Sequence, residues 1–145
     1  MKLLSLVLLA GCAGAATTRP AAIDPATTRT EVRRAEEAFA AAFRDRDADR
    51  FFAMLADDAV FLGPQKTLRG AAQVRATWSR FFAGAAPFSW HPERVEASAD
   101  GALGLSTGPV LDPQGAQIGV YSSVWRRQAD GSWKIAFDGP GCSRP

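Results

Sequence analysis

Over residues 28–44 the apolar side chains recur at three and four positions: Val32, Ala35, Phe39, Ala42 and Phe43. That spacing predicts an amphipathic helix of about four to five turns. Arg33, Arg34, Glu37, Arg44 and Asp45 fall on its outer face. Thr28-Arg29-Thr30-Glu31 has the form of a capping box, with Thr28 as N-cap and Glu31 reaching back. Asp47 is placed to cap a second, short helix that Asp57-Asp58 closes, with Phe51, Phe52 and Leu55 extending the core. Residues 59–62 read as a short strand ended by Gly63-Pro64, and residues 65–68 pair back on it. Gly70 opens a third helix whose stripe is Val74, Trp78, Phe81 and Phe82, and Gly84 is placed to stop it.

Beyond Pro87 the period changes to two, so the rest of the chain is strands. Residues 88–97 alternate with Phe88, Trp90, Arg94 and Glu96 on one side. Residues 103–111 put Leu103, Leu105 and Thr107 on one face. Gly104, Ser106 and Gly108 on the other face are small, which invites close packing there. Asp112-Pro113-Gln114-Gly115 is a turn. Two β-rich runs then flank Ala129-Asp130-Gly131, a hairpin signal with two registers. A two-residue loop sets Val124 opposite Phe137 and Arg126 opposite Ile135. A three-residue loop with a left-handed Gly131 sets Trp125 opposite Ile135 and Arg126 opposite Lys134. The second is preferred, because it gathers Tyr121, Ser123, Trp125, Trp133, Ile135 and Phe137 on one face and leaves Arg126 and Lys134 on the other. Gly139-Pro140-Gly141 breaks the last strand. Helices first and hairpin-joined strands after make an α+β fold, about three N-terminal helices packed on a curved, mostly antiparallel sheet.

The 145 residues fit one domain. A formal charge of +2, with arginines scattered among carboxylates, argues against nucleic acid as a partner. One His and two Cys, Cys12 and Cys142, argue against a His/Cys metal site, and no cofactor is expected. The start of the chain, Lys2 followed by an apolar run, reads as a signal peptide over residues 1–11. Residues 12–27 are rich in Ala, Thr and Pro and read as a flexible tether. The folded domain is expected over residues 28–138, with a flexible tail at 139–145. Cys142 lies in that tail, and unless it pairs with Cys12 it is expected as a free thiol or an intermolecular disulfide.

Two resemblances add to this reading. Leu9-Ala10-Gly11-Cys12 resembles the lipobox of bacterial lipoproteins, which implies a lipid on the Cys12 thiol and cleavage before it. The chain would then be anchored in the bacterial envelope. Ala13, where some lipoproteins carry a retention Asp, points to the outer membrane, facing the periplasm. The second resemblance rests on Glu36-Glu37-Ala38-Phe39, Asp57-Asp58-Ala59-Val60-Phe61, Gly70 with Trp78-Ser79-Arg80-Phe81-Phe82, Ser106-Thr107-Gly108-Pro109, the run 121–127, and Asp130-Gly131-Ser132-Trp133-Lys134-Ile135. These resemble the NTF2-like superfamily, in particular its SnoaL-like and DUF4440-like members. The resemblance implies a cone with a cavity between helices and concave sheet. It also implies dimerisation through the outer sheet face as one mode of association. Such cones host isomerases, hydrolases, dehydratases and binding proteins, so the fold alone does not choose a function.

The expected cavity lining is Phe39, Phe61, Trp78, Phe82, Trp90, Leu105, Tyr121, Ser123, Trp125 and Phe137. Apolar walls with a few polar groups suit a small hydrophobic ligand. Catalytic candidates are few. His91 lies opposite Trp90 in the alternation, so an inward Trp90 sends it outward. Asp138 ends the last strand, at the cavity rim or outer face. No nucleophile elbow surrounds any Ser. The expected function is ligand binding by an envelope lipoprotein, with an isomerase-type enzyme using His91 or Asp138, or a dimeric interaction domain, as alternatives.

Overall fold

The computed structural model describes residues 24–141. The expected signal peptide, the lipobox-like stretch with Cys12, most of the expected tether and Cys142 lie outside the described residues. Helix α1 spans Pro25–Arg44. It starts earlier than expected because Asp24, not Thr28, is the N-cap: its carboxylate accepts from the Ala26 amide, and Pro25 occupies the first turn. Thr28 is buried inside the helix. Glu31 does not cap; it accepts from Arg127 at 2.5 Å and from the Trp133 indole at 3.2 Å. Residues 25–27 therefore belong to the domain rather than to a tether.

Asp47 caps α2, Ala48–Ala53, by accepting from the Arg50 amide. Strand β1 then runs Leu55–Leu62, so Asp57 and Asp58 sit on a strand rather than closing a helix. Strand β2, Thr67–Arg69, returns antiparallel with Phe61 opposite Leu68. Gly70, at φ 86°, turns the chain into α3, Ala71–Trp78. A 3-10 turn over Ser79–Phe82 follows. Pro92 divides the next run into β3, Ser89–Trp90, and β4, Arg94–Ala97. Strands β5, Leu103–Leu111, β6, Gln117–Arg127, and β7, Trp133–Pro140, complete the fold. Strand β7 runs through Pro140, and the Gly141 amide still donates to Val120, so Gly139-Pro140 does not break it.

The strands form one seven-stranded sheet in the order β2-β1-β7-β6-β5-β3, with β4 also on β5. Only the β1–β7 pairing is parallel. The expected α+β architecture is the observed one: helices cover one face of an open, curved sheet. Gly104 explains how close they come. A Cβ there would lie 2.4 Å from Val32 of α1, so only glycine lets the helix sit on the strand. This settles which face of β5 points inward. Gly104 and Ser106 face the helix, and Leu103 and Leu105 face out, 43% and 40% exposed.

The β6–β7 hairpin has the three-residue loop. Gly131 is left-handed at φ 83°, and Trp125 pairs with Ile135 and Arg126 with Lys134. One residue later the register shifts: Val124 pairs with Phe137, so Ile135 and Ala136 together oppose Trp125. A bulge of this kind reverses the faces of everything beyond it. Phe137 turns outward, 50% exposed, and Asp138 turns inward, opposite Ser123. Between helices and sheet lies an aromatic core. Phe39 stacks on Phe51 at 4.1 Å and Phe43 on Phe88 at 4.9 Å between centroids; such pairs add about 0.5–1.5 kcal/mol beyond area burial.

Candidate functional site

The aromatic core leaves a cavity of about 590 Å³ open at one end. Phe39, Phe61, Trp78, Phe88, Trp90, Tyr121 and Asp138 line its inner part. The exposed turn from Leu62 to Lys66, with Arg80, Ile118 and Pro140, forms the mouth. Five of the ten expected lining residues are on this wall: Phe39, Phe61, Trp78, Trp90 and Tyr121. The other five are elsewhere. Leu105 and Phe137 point out of the sheet, the first because Gly104 and Ser106 take the helix side, the second because of the bulge. Phe82 packs behind the wall against Phe43, Phe51 and Phe52. Ser123 and Trp125 are fully buried beneath the inner end. His91 is exposed and lines no part of the cavity; its partner in the alternation, Trp90, is the inward residue, so His91 is withdrawn as a catalytic candidate.

Beneath the inner end sits a residue that the alternation argument did not select. Glu36 lies on the buried stripe of α1, four residues after Val32 and three before Phe39, and is 0% exposed. The Trp90 indole donates to its Oε1 at 2.8 Å and the Trp125 indole to its Oε2 at 2.7 Å. Burial raises the Glu36 pKa, while both indoles and the hydroxyls of Ser123 and Ser106 oppose that rise. Among the described residues no cation pairs with it. A carboxyl buried without a cation needs such donors on each oxygen.

Two short chains lead from this carboxyl to the cavity. Ser123, beside Glu36, donates to Asp138 Oδ2 at 2.7 Å. Ser106, also beside Glu36, is hydrogen-bonded to the Tyr121 hydroxyl at 2.9 Å. The two polar groups on the inner wall are therefore both held from behind by the same buried cluster. Burial pushes the Asp138 carboxyl up to about 7, against the lowering effect of the Ser123 bond and helped by repulsion from Glu36. Burial and Glu36 also push the Tyr121 phenol above its ordinary value, so it stays neutral. At neutral pH Asp138 is present in both protonation states, which suits a group that gives and takes protons. Among the described residues no group of three or more His, Cys, Asp or Glu is arranged to hold a metal ion.

Comparison with known proteins agrees with this architecture. Residues 32–138 match the SnoaL-like domain. The chain belongs to the SnoaL-like family. Solved structures share its fold. An NTF2-like protein of unknown function from Pseudomonas putida is 22% identical, with a TM-score of 0.64 over 83% of this chain and 89% of that one. A provisionally assigned dehydratase of the NTF2-like family from Streptomyces avermitilis is 21% identical, TM-score 0.63, over 83% and 100% of the two chains. A ketosteroid isomerase-like protein from Erwinia carotovora atroseptica is 18% identical, TM-score 0.61, over 81% and 97%. At these identities the likeness is one of fold. No curated protein matches the chain.

The shifted carboxyl has a consequence for stability. Asp138 titrates near 3.8 in an unperturbed chain and near 7 in the folded one. Between those values the folded chain holds a proton that the unfolded chain has released, so stability falls as pH rises through the window. Asp138→Asn removes this source of loss. Urea unfolding of both proteins at about pH 5 and about pH 8 should show the variant gaining on the wild type at the higher pH. An equal difference at both pH values would mean that Asp138 is not held in this way.

Proposed function

We propose that this SnoaL-like domain binds a small, largely apolar molecule in the cavity between helices and sheet. The observation that carries this reading is the cavity itself: about 590 Å³, inside the range of about 300–1,000 Å³ usual for small-ligand sites. Its wall is largely aromatic, with Gln65, Lys66 and Arg80 at the mouth, Thr77 on α3, and Asp138 and Tyr121 at the inner end. An apolar body fills the aromatic part, and any polar atom it carries to the inner end meets Asp138 or Tyr121.

A second reading is favoured by the position of Asp138. A carboxyl that is half-ionised at neutral pH and faces an apolar cavity is equipped for proton transfer to a bound molecule. This supports an enzyme of the isomerase or dehydratase type, with Asp138 as acid and base and Tyr121 as the neighbouring hydrogen-bonding group. It differs from the expectation for His91, which lacks access to the cavity.

The binding reading is tested with an uncharged apolar reporter, phenylnaphthylamine, whose fluorescence rises on leaving water. The wild-type domain should give a saturable signal, and Thr77→Trp, which fills the cavity from α3, should abolish it while the fold is retained by circular dichroism. A signal that is linear in reporter, or unaffected by Thr77→Trp, would retire the reading.

We also propose that Cys12 carries a lipid that anchors the domain to the outer membrane on its periplasmic side. The lipobox at residues 9–12 supports this; several acyl chains anchor firmly, since each buried methylene is worth about 0.8 kcal/mol. In a Gram-negative host the protein should fractionate with membranes and incorporate labelled fatty acid, and Cys12→Ser should lose both. Label retained in the variant would exclude Cys12 as the attachment point.

A further inference from the structure

The charges on the cavity wall are divided by depth. Lys66 and Arg80 are exposed and lie at the mouth, on the β1–β2 turn and just after α3. Asp138 is the one carboxylate on the wall and lies at the inner end, with Glu36 buried behind it. Arg44, Arg75, Arg94, Arg126 and Arg127 each pair with a carboxylate, while other described arginines, Arg29, Arg34, Arg50 and Arg69 among them, do not, and none of those four lines the cavity. Among the described residues neither Lys66 nor Arg80 has such a partner. Arg80 is also held near the wall, its guanidinium 4.8 Å from the centroid of Phe81, which lines the cavity.

We propose that the ligand is an anionic amphiphile, an apolar body carrying one carboxylate-like or sulfonate-like group, bound with the anion at the mouth between Lys66 and Arg80. The inference rests on the cavity reading above and adds the ligand's charge and orientation. An anion at the inner end would meet the Asp138 carboxyl, with Glu36 buried behind it and no lysine or arginine on the wall there, an unfavourable contact in a poorly solvated place. At the mouth it keeps part of its hydration and gains two unpaired cations, so no charge is buried. The apolar body then points inward, along Phe61, Phe88 and Trp90, where it displaces water from aromatic surface. Mouth charge of this sign also raises the rate at which anions arrive.

Two probes separate the parts of the argument. Phenylnaphthylamine is uncharged, and anilinonaphthalene sulfonate is the same skeleton with one sulfonate added. At low ionic strength the sulfonate should bind at least about fivefold more tightly, the gain expected from two partly exposed ion pairs. The preference should shrink with added salt. It should vanish in the double variant Lys66→Ala/Arg80→Ala, which should bind both probes alike. If the uncharged probe binds and the sulfonate binds no better, or if the double variant keeps the preference, the anionic reading is wrong and the cavity reading stands. If neither probe binds, the cavity reading fails and takes this one with it.

Discussion

The structure depends on one buried carboxyl. Glu36 sits at the point where α1 crosses the sheet, and its two oxygens are taken by indoles from different strands, Trp90 on β3 and Trp125 on β6. A carboxyl at 0% exposure is costly to desolvate, and the cost is offset only if its donors stay in place. That requirement fixes the helix along its axis and fixes the two strands relative to it. Gly104 allows the approach by leaving room for Val32. Helix, sheet and cavity floor are thus positioned by the same contact.

The cavity follows from this arrangement. The aromatic side chains on α1, α2 and α3 pack on one another, with Phe39 and Trp78 on the cavity wall. The inner wall also carries polar groups, Asp138 and Tyr121, each backed by a serine that touches the Glu36 cluster. A group held from behind in this way keeps its geometry when the cavity fills or empties, which is what positioning of a ligand's polar atom requires. Strand pairing contributes as well. The bulge at Ala136 turns Asp138 inward; without it the floor would carry Phe137 and the cavity would have no carboxyl.

Much of the fold was legible in the sequence, because it is written in periodicities. The three-and-four spacing from Val32 to Phe43 gave α1. Asp130-Gly131, with the alternation on either side, gave the hairpin and its preferred register as far as the Trp125–Ile135 pair; beyond it Val124 faces Phe137, the pairing of the other register. The errors have local causes. Thr28-Glu31 imitated a cap, although Asp24-Pro25 carries the stronger signal, an acceptor followed by proline at the first helical position. Phe137 was assigned to the inner face, and Asp138 to the rim or outer face, because the bulge at Ala136 leaves no mark in the alternation; β1, paired with β7, shifts register as well, between Leu55 and Val60. Leu105 was taken as lining because the small face of β5 was not yet known to meet a helix. Glu36 was the avoidable omission. Its spacing from Val32 and Phe39 puts it on the apolar stripe, and a charged residue on such a stripe signals a buried polar cluster. Its partners, on strands separated by β5 and far along the chain, have no such signal.

Helix, sheet and cavity floor all rest on Trp90 and Trp125 donating together to Glu36 in a dry site. Nuclear magnetic resonance of the four indole N–H groups checks this. The Trp90 and Trp125 protons should resonate downfield of Trp78's and exchange slowly with deuterated water. Both should move upfield in Glu36→Gln, where one oxygen is replaced by an NH2 that cannot accept. Exchange of either indole proton as fast as that of Trp78, or shifts that ignore the substitution, would contradict the clamp and the positioned floor built on it.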